Sequence, residues 1–268
     1  MKKCFLGLIV IMVTVSMLVS FVGCTKETPA ECFDYEIEGN HIIITGLVKT
    51  DLEKIVIPER IKGSFVTAIA EDAFRECTNL ISVTIPDSVT KIDEDAFEDC
   101  TGLVEVIIPD SVKEIGESAF SGCTSLSTVT IPDSVKEIAY RAFADCTSLT
   151  SITIPEGVTR ISAFSGCTSL KNVTIPESVT EIESSAFSDC TSLTNVTIPD
   201  SVTEIGPYAF ADCTSLTSIT IPDSVTAIGM HAFLGCTNLT NVTIPDSVES
   251  IGWGAFEGTG VKLPERFN

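Results

Sequence analysis

Between residues 70 and 260 the chain repeats one order of apolar and polar positions every 23 residues, with a single spacing of 21. In the copy that starts at Leu126, the apolar residues Leu126, Val129 and Ile131 are separated by Ser127, Thr128 and Thr130. Alternation built on β-branched residues predicts a strand. Pro132-Asp133-Ser134 then ends it, because proline has no amide proton for a central ladder. Val135 and Ile138 turn inward again and predict a second short strand, and Ala142-Phe143 before Cys146 predicts a short helical turn. A fixed period of this length predicts a stacked solenoid. Each unit offers about seven inward apolar side chains, worth roughly 1.5–3 kcal/mol apiece. Ordering the backbone costs about 1–2 kcal/mol per residue, so one unit alone does not fold. Stacking, with ladder hydrogen bonds between layers about 4.8 Å apart, closes the difference.

Three columns follow from the period. Phenylalanine recurs at Phe74, Phe97, Phe120, Phe143, Phe164, Phe187, Phe210, Phe233 and Phe256 and predicts an aromatic core. Cysteine recurs at Cys77, Cys100, Cys123, Cys146, Cys167, Cys190, Cys213 and Cys236. A buried thiol ladder is the expected reading, because free cysteine behaves as a small hydrophobe. Disulfides between adjacent layers and metal or redox chemistry are the alternatives, although no Cys-x-x-Cys occurs. Acidic residues follow the prolines at Asp87, Asp110, Asp133, Glu156, Glu177, Asp200, Asp223 and Asp246. They read as turn formers, with a weak calcium-binding edge at Asp200, Asp223 and Asp246 as the other reading.

The outward strand positions carry the candidate binding face. One row reads Thr130, Thr153, Thr174, Thr197, Thr220 and Thr243, and the row two residues earlier includes Asn172, Asn195 and Asn241. This nearly uncharged surface of hydroxyls and amides suits a protein or a glycan, and it also suits plain β-prone, soluble sequence. His41 and His231 are expected at the surface. No nucleophile elbow, phosphate-cradling glycine loop or metal-spaced cluster occurs. The sequence therefore predicts a binding protein with no cofactor, no metal and no catalytic residues, and a structural envelope spacer without a specific ligand is the alternative.

The pattern is irregular at four places. Residues 33–47 alternate around Gly39-Asn40 and predict a β-hairpin that caps the first open layer. Five extra residues lie in the Glu59–Phe65 segment, and the repeat at Ile161-Ser162-Ala163-Phe164 is two residues short. Thr259 stands where a ninth cysteine would fall, and Val261-Lys262-Leu263-Pro264 predicts a last strand. The expected organisation is a cap and first irregular repeat over 33–70, then a solenoid with its own C-terminal cap over 71–268.

The motif Cys-Thr-Ser-Leu-Thr-Ser-Ile-Thr-Ile-Pro at 146–155, with Ala142-Phe143 upstream, resembles the BspA-like (Treponema-type) leucine-rich repeat. The resemblance covers about residues 33–268. It differs from the commoner leucine-rich repeat, in which an Asn or Cys follows the strand. It implies a leucine-rich-repeat solenoid, β-rich, in a secreted or surface-bound protein. Several such proteins are adhesins for host matrix or other bacteria, and no catalytic residue is carried over.

Met1-Lys2-Lys3, an apolar run from Cys4 to Val22 and the polar sequence from Thr25 have the layout of an export signal. It resembles a bacterial lipoprotein signal, with Gly23 and the lipid-accepting Cys24 in place and Phe21 where leucine is usual. A plainly cleaved signal or an uncleaved anchor would also place the repeats outside the cytoplasm, since the run is close to the shortest that spans a bilayer. Residues 24–32 then read as a tether. Loss of residues 1–23 removes Lys2 and Lys3 and takes the formal charge from −21 to −23. Such acidity disfavours nucleic acid as a partner. The expected partners are a protein or glycan on host or neighbouring cells, with the membrane reached through the lipid anchor. Cys24→Ala is expected to abolish labelling with a fatty-acid probe and release the protein from the membrane fraction. A protein that stays there without ever carrying label is not lipid-anchored.

Overall fold

The structure, a computed structural model, describes residues 26–267. Cys24 and the leader lie outside the described residues. Each period forms one coil of a β-solenoid, and the coils stack in sequence order with two rows of short parallel strands.

The first row holds Lys54–Val56, Ser82–Thr84, Glu105–Ile107 and Thr128–Thr130 in one ladder. It continues as Ser151–Thr153, Asn172–Thr174 and Asn195–Val196, and then as Ser218–Thr220 with Asn241–Thr243. The second row runs from Ser64–Ile69 through Lys91–Ile92 and Glu114–Ile115 to Glu137–Ile138. It resumes at Arg160–Ile161 and ends at Ser250–Ile251. Pairing is in register, residue to equivalent residue, so side chains stack in columns. Within the regular repeats strands stop after two or three residues, because each period places proline behind the first row and a tight turn behind the second.

The expected helical turn before each cysteine is not formed. Residues 93–100 run through successive tight turns, with left-handed backbone at Asp95 (φ 53°) and Asp99 (φ 56°). The amides of Asp95, Phe97 and Asp99 donate to the carbonyls of Glu117, Ala119 and Ser121 in the next coil. Those of Glu98 and Cys100 close turns on Asp95 and Phe97 of their own coil. A helix would direct every amide to its own chain four residues back. Here alternate amides leave the coil and bond it to its neighbour. The residue before each cysteine is aspartate, glutamate or glycine, and Glu76, Asp99, Gly122, Asp145, Gly166, Asp189, Asp212, Gly235 and Gly258 all have positive φ. That backbone region favours glycine and tolerates aspartate.

The phenylalanine rings stack along the axis with centroids 4.9 to 5.8 Å apart. Phe74 through Phe233 are fully buried, and Phe256 at the end is 9% exposed. Offset-stacked rings at this spacing add to the burial of their large apolar area. Hydroxyls add further axial bonds. Ser134 Oγ donates to Val112 O (2.7 Å) and Ser224 Oγ to Val202 O (2.7 Å). Thr191 Oγ1 donates to Thr168 O and Thr214 Oγ1 to Thr191 O.

At the N-terminal end, Phe33–Glu38 and His41–Leu47 form the expected hairpin, with Gly39 at φ +60° in its turn. The second hairpin strand pairs in parallel with Ser64–Ile69 and buries Ile42 and Ile44. It thereby becomes the first layer of the second row. Thr28 bonds to Val56 through backbone and hydroxyl, so the residues before the hairpin lie against the first coil. The five extra residues make a small antiparallel turn, Arg60–Ile61 on Ser64–Phe65, with the Arg60 guanidinium 3.3 Å from the Phe65 ring centroid.

The last strand expected at 261–264 is not formed. Thr259 Oγ1 donates to Phe256 O of its own coil (2.7 Å) and accepts from the Val261 amide (3.2 Å). The amide that would open a ladder is used locally, and Pro264 has none to offer. The chain closes instead on a short 3-10 turn at Glu265–Phe267, tied back by Arg266 to Asp246.

Phe143→Ala is expected to destabilise the protein by about 3–5 kcal/mol, read as a lower urea midpoint. The same change at Phe256, which has one neighbour, should cost less. Equal losses at the two positions would contradict axial stacking as the source of the phenylalanine contribution.

Candidate functional site

The strand rows decide which residues face outward. In Ser151–Thr153 and Asn172–Thr174 the central Ile152 and Val173 are buried and the flanking residues exposed. Register places Ser151 on Asn172 and Thr153 on Thr174, and then Asn172 on Asn195. Farther along, Ser218 pairs with Asn241 and Thr220 with Thr243. Thr130, Thr153, Thr174, Thr197, Thr220 and Thr243 are all exposed, as are Asn172, Asn195 and Asn241. Parallel pairing therefore lays them out as two adjacent polar rows.

The face is less uniform than the sequence suggests. Its N-terminal third carries Ile81, Val104, Glu105 and Ile107, and Ile107 is 54% exposed. The ladder also opens between Thr128–Thr130 and Ser151–Thr153, and again between Asn195–Val196 and Ser218–Thr220. At the second opening a hollow of about 370 Å³ gathers Asn195, Thr197, Asp200, Ser218 and Thr220. Beside it a shallow groove of about 500 Å³ gathers Thr220, Asn241, Thr243 and Lys262. The structure thus brings five of the candidate side chains together near the C-terminal end and leaves Thr130, Thr153, Thr174 and Asn172 on the flatter stretch.

The acidic residues from Asp87 to Asp246 are exposed on their turns. Among the described residues no three acidic, histidine or cysteine side chains converge as a cation site, so the calcium reading at Asp200, Asp223 and Asp246 gains no geometric support.

Cys32 and the eight repeat cysteines are free and buried. Each thiol from Cys100 onward donates to the phenylalanine carbonyl of the preceding coil, as Cys100 Sγ does to Phe74 O (3.0 Å) and Cys146 Sγ to Phe120 O (3.3 Å). Burial pushes the Cys100 and Cys167 thiols up to about 12, and raises Cys123, Cys146 and Cys190 well above their ordinary value. A thiol held protonated is a donor and a filler, while the nucleophile and metal ligand is the thiolate.

His231 does not sit at the surface as expected. It is 8% exposed, in left-handed backbone, with its ring 5.1 Å from Tyr208 and edge-on to Trp253 at 4.7 Å. Its Nδ1 is buried without a partner. Tyr208 holds the same turn position one coil earlier, and Trp253 stands one position earlier in the turn of the next coil, so rings on both sides cover it. The outer end of this cluster is an exposed edge of Met230 and Trp253, the latter 74% exposed. That edge was missed in the sequence. Reading the column three residues before each phenylalanine, from acidic Glu71 and Glu94 to Met230 and Trp253, would have revealed it. His41 is exposed in the hairpin.

Stacked coils, a packed interior and ordered polar rows on the outside define a repeat scaffold of the leucine-rich type. The chain belongs to the BspA type leucine rich repeat family, whose sequence profile matches residues 47–163 and 161–264 in 6 copies. It is similar to the *T. pallidum* leucine rich repeat protein TpLRR, at 29% identity over 84% of this chain and 93% of that one, with a TM-score of 0.65. It is also similar to a leucine rich cell surface protein from *Faecalibacterium prausnitzii* A2-165, at 28% identity over 90% and 95% of the two chains, TM-score 0.56. Comparison with curated proteins returns no match. Membership assigns a general role in binding or adhesion and an extracellular or surface setting.

The raised thiols make stability depend on pH with a definite sign. Their folded values lie above the ordinary 9.0, so their contribution is complete below pH 9 and declines as pH rises toward 12. Each thiol removes up to about 1.4 kcal/mol per pH unit across that window. Urea midpoints should fall steeply above pH 9, and less steeply in Cys100→Ala/Cys167→Ala. A slope unaffected by the two substitutions would show that other groups carry it.

Proposed function

We propose that the chain is a cell-surface adhesion module that recognises a protein on host or neighbouring cells through its first strand row. The observation that carries this reading is the pair of exposed polar rows in register, Ser151, Asn172 and Asn195 beside Thr153 and Thr174. Family membership supports a binding role, and the *F. prausnitzii* relative is described as a cell surface protein. Hydroxyls and amides both donate and accept, and they sit on a backbone already fixed by stacking. A partner that docks there pays little ordering cost on this side of the interface. The formal charge of −21 favours a basic partner surface, whose approach it would speed. Export through the N-terminal signal and lipid attachment at Cys24 complete the reading. Among the described residues no helix is long and apolar enough to cross a membrane.

A glycan is the second reading, favoured by the hollow of about 370 Å³ that breaks the row beside Asn195, Thr197 and Asp200. The test presents immobilised matrix proteins, mucin and whole bacterial cells to the full-length protein. Thr153→Lys, Thr174→Lys and Thr197→Lys together should weaken capture by the best binder about tenfold or more, with an unaltered circular dichroism spectrum. Full capture by the triple variant would remove the strand row as the interface. Capture by mucin alone, lost on deglycosylation, would favour the glycan.

A further inference from the structure

The coil that is two residues short and the coils beside it gather a tyrosine, an arginine, a serine and glutamates around one gap. The second strand row is interrupted between Glu137–Ile138 and Arg160–Ile161, and two hollows of about 410 and about 310 Å³ flank the break. Tyr140, Arg160, Ser162 and Glu183 line both hollows, and Glu204 and Pro207 close the larger one. Its size falls within the usual range of small-ligand sites, about 300–1,000 Å³.

The position after the second strand explains how Glu183 comes to be there. In most other coils it is held by small residues, such as Gly229 and Gly252, where a Cβ would lie 2.4 and 2.3 Å from the backbone of the preceding coil, and the shorter Asp93 is the other carboxylate in this column. The clipped coil lacks that obstructing turn, so the next coil can carry a glutamate in the same place. Glu183 and Glu181 both engage Arg160, at 3.1 and 2.6 Å. Arg160 itself stands between acidic neighbours in its column, with Glu137 before it and Glu181 and Glu204 after it. An ion pair that only plugged the gap would leave no hollow behind.

We propose that this notch binds the terminal pyranose of a neutral glycan. Tyr140, 46% exposed, offers a ring face for the apolar C–H side of a sugar. The carboxylates accept from sugar hydroxyls, and guanidinium and Ser162 hydroxyl donate, so neighbouring hydroxyls of one ring meet both kinds of partner. In the larger hollow an anionic ligand would face Glu181, Glu183 and Glu204 across Arg160, already engaged by two of them, while Lys136 and Glu137 offset each other on the smaller one. A cationic ligand would meet Arg160 at the centre of the notch. A neutral polyol suffers neither repulsion. This site lies off the first strand row, and it stands or falls independently of the function proposed for that row.

The test is saturation-transfer NMR on the full-length protein in a detergent without a sugar headgroup, with methyl glycosides of glucose, galactose, mannose and N-acetylglucosamine as probes. At least one glycoside should show transfer, and Tyr140→Ala and Glu183→Gln should each weaken its binding about tenfold or more. A notch-filled variant, two serines inserted between Ser162 and Ala163 together with Glu183→Gly, restores the regular period. It should keep its urea midpoint and lose the sugar. Thr153→Lys/Thr174→Lys/Thr197→Lys should retain it. Transfer to none of the four glycosides, transfer undiminished in the filled variant, or transfer only to arginine or lysine methyl ester would each overturn the assignment.

Discussion

Axial hydrogen bonding is the constraint on which the rest of this fold depends. No coil has enough interior to stand alone, and each one sends alternate backbone groups to its neighbours. The phenylalanine carbonyl shows how completely this shapes the sequence. Phe97 O accepts the Cys100 amide of its own coil and the Cys123 thiol of the next. Its two lone pairs are thereby both used in a site where an unmet carbonyl would be costly. Cysteine suits the position because it is small and apolar enough for the core and still has a proton to donate. The serines behind the acidic turns and the threonines behind the cysteines do the same work at the margin, each donating to a carbonyl one layer away. Columns of identical residues follow because each layer presents the next with the same unmet groups.

Those columns are why so much of the architecture is legible in the sequence. Period, strand positions, the inward Leu, Val and Ile, the phenylalanine stack and the capping hairpin all depend on which side of a strand a residue faces, and alternation encodes that directly. The turn segment was misread because Ala-Phe-x-x-Cys has apolar spacing compatible with a helix. The decisive signal was the Asp/Gly residue before each cysteine, a position that a helix would have no reason to fill that way and that left-handed backbone requires. The C-terminal strand was misread for a different reason. Val261 and Leu263 alternate correctly, and pattern alone does not reveal that the Thr259 hydroxyl captures the next available amide.

The candidate site was legible as composition and only partly as geometry. That Thr174 and Asn172 face outward follows from Val173 facing inward. That the row opens beside Asn195–Val196, where a hollow lies, depends on where the ladder between coils is interrupted, and the coils on the two sides of that opening have nearly the same sequence. The burial of His231 was hidden for a related reason: it depends on Tyr208 one period before it and Trp253 just under one period after it, and local sequence places alanine and methionine at its sides.

Stacking also determines where distinct chemistry can arise. In a perfectly periodic rod every surface group is repeated about every 5 Å, so a partner meets many equivalent weak contacts and no unique one. Specific recognition of a small ligand needs a place where the period fails without the stack failing. Removing residues from a strand would break the ladder and slip every inward side chain. Removing them from the turn leaves the phenylalanine column nearly undisturbed, with Phe143, Phe164 and Phe187 still stacked at 5.6 and 5.8 Å. The space released lies outside the core, and Arg160 and Glu183 occupy its rim. A deletion tolerated by the interior thus leaves a gap on the exterior, with the unlike charges of Arg160 and Glu183 side by side at its edge.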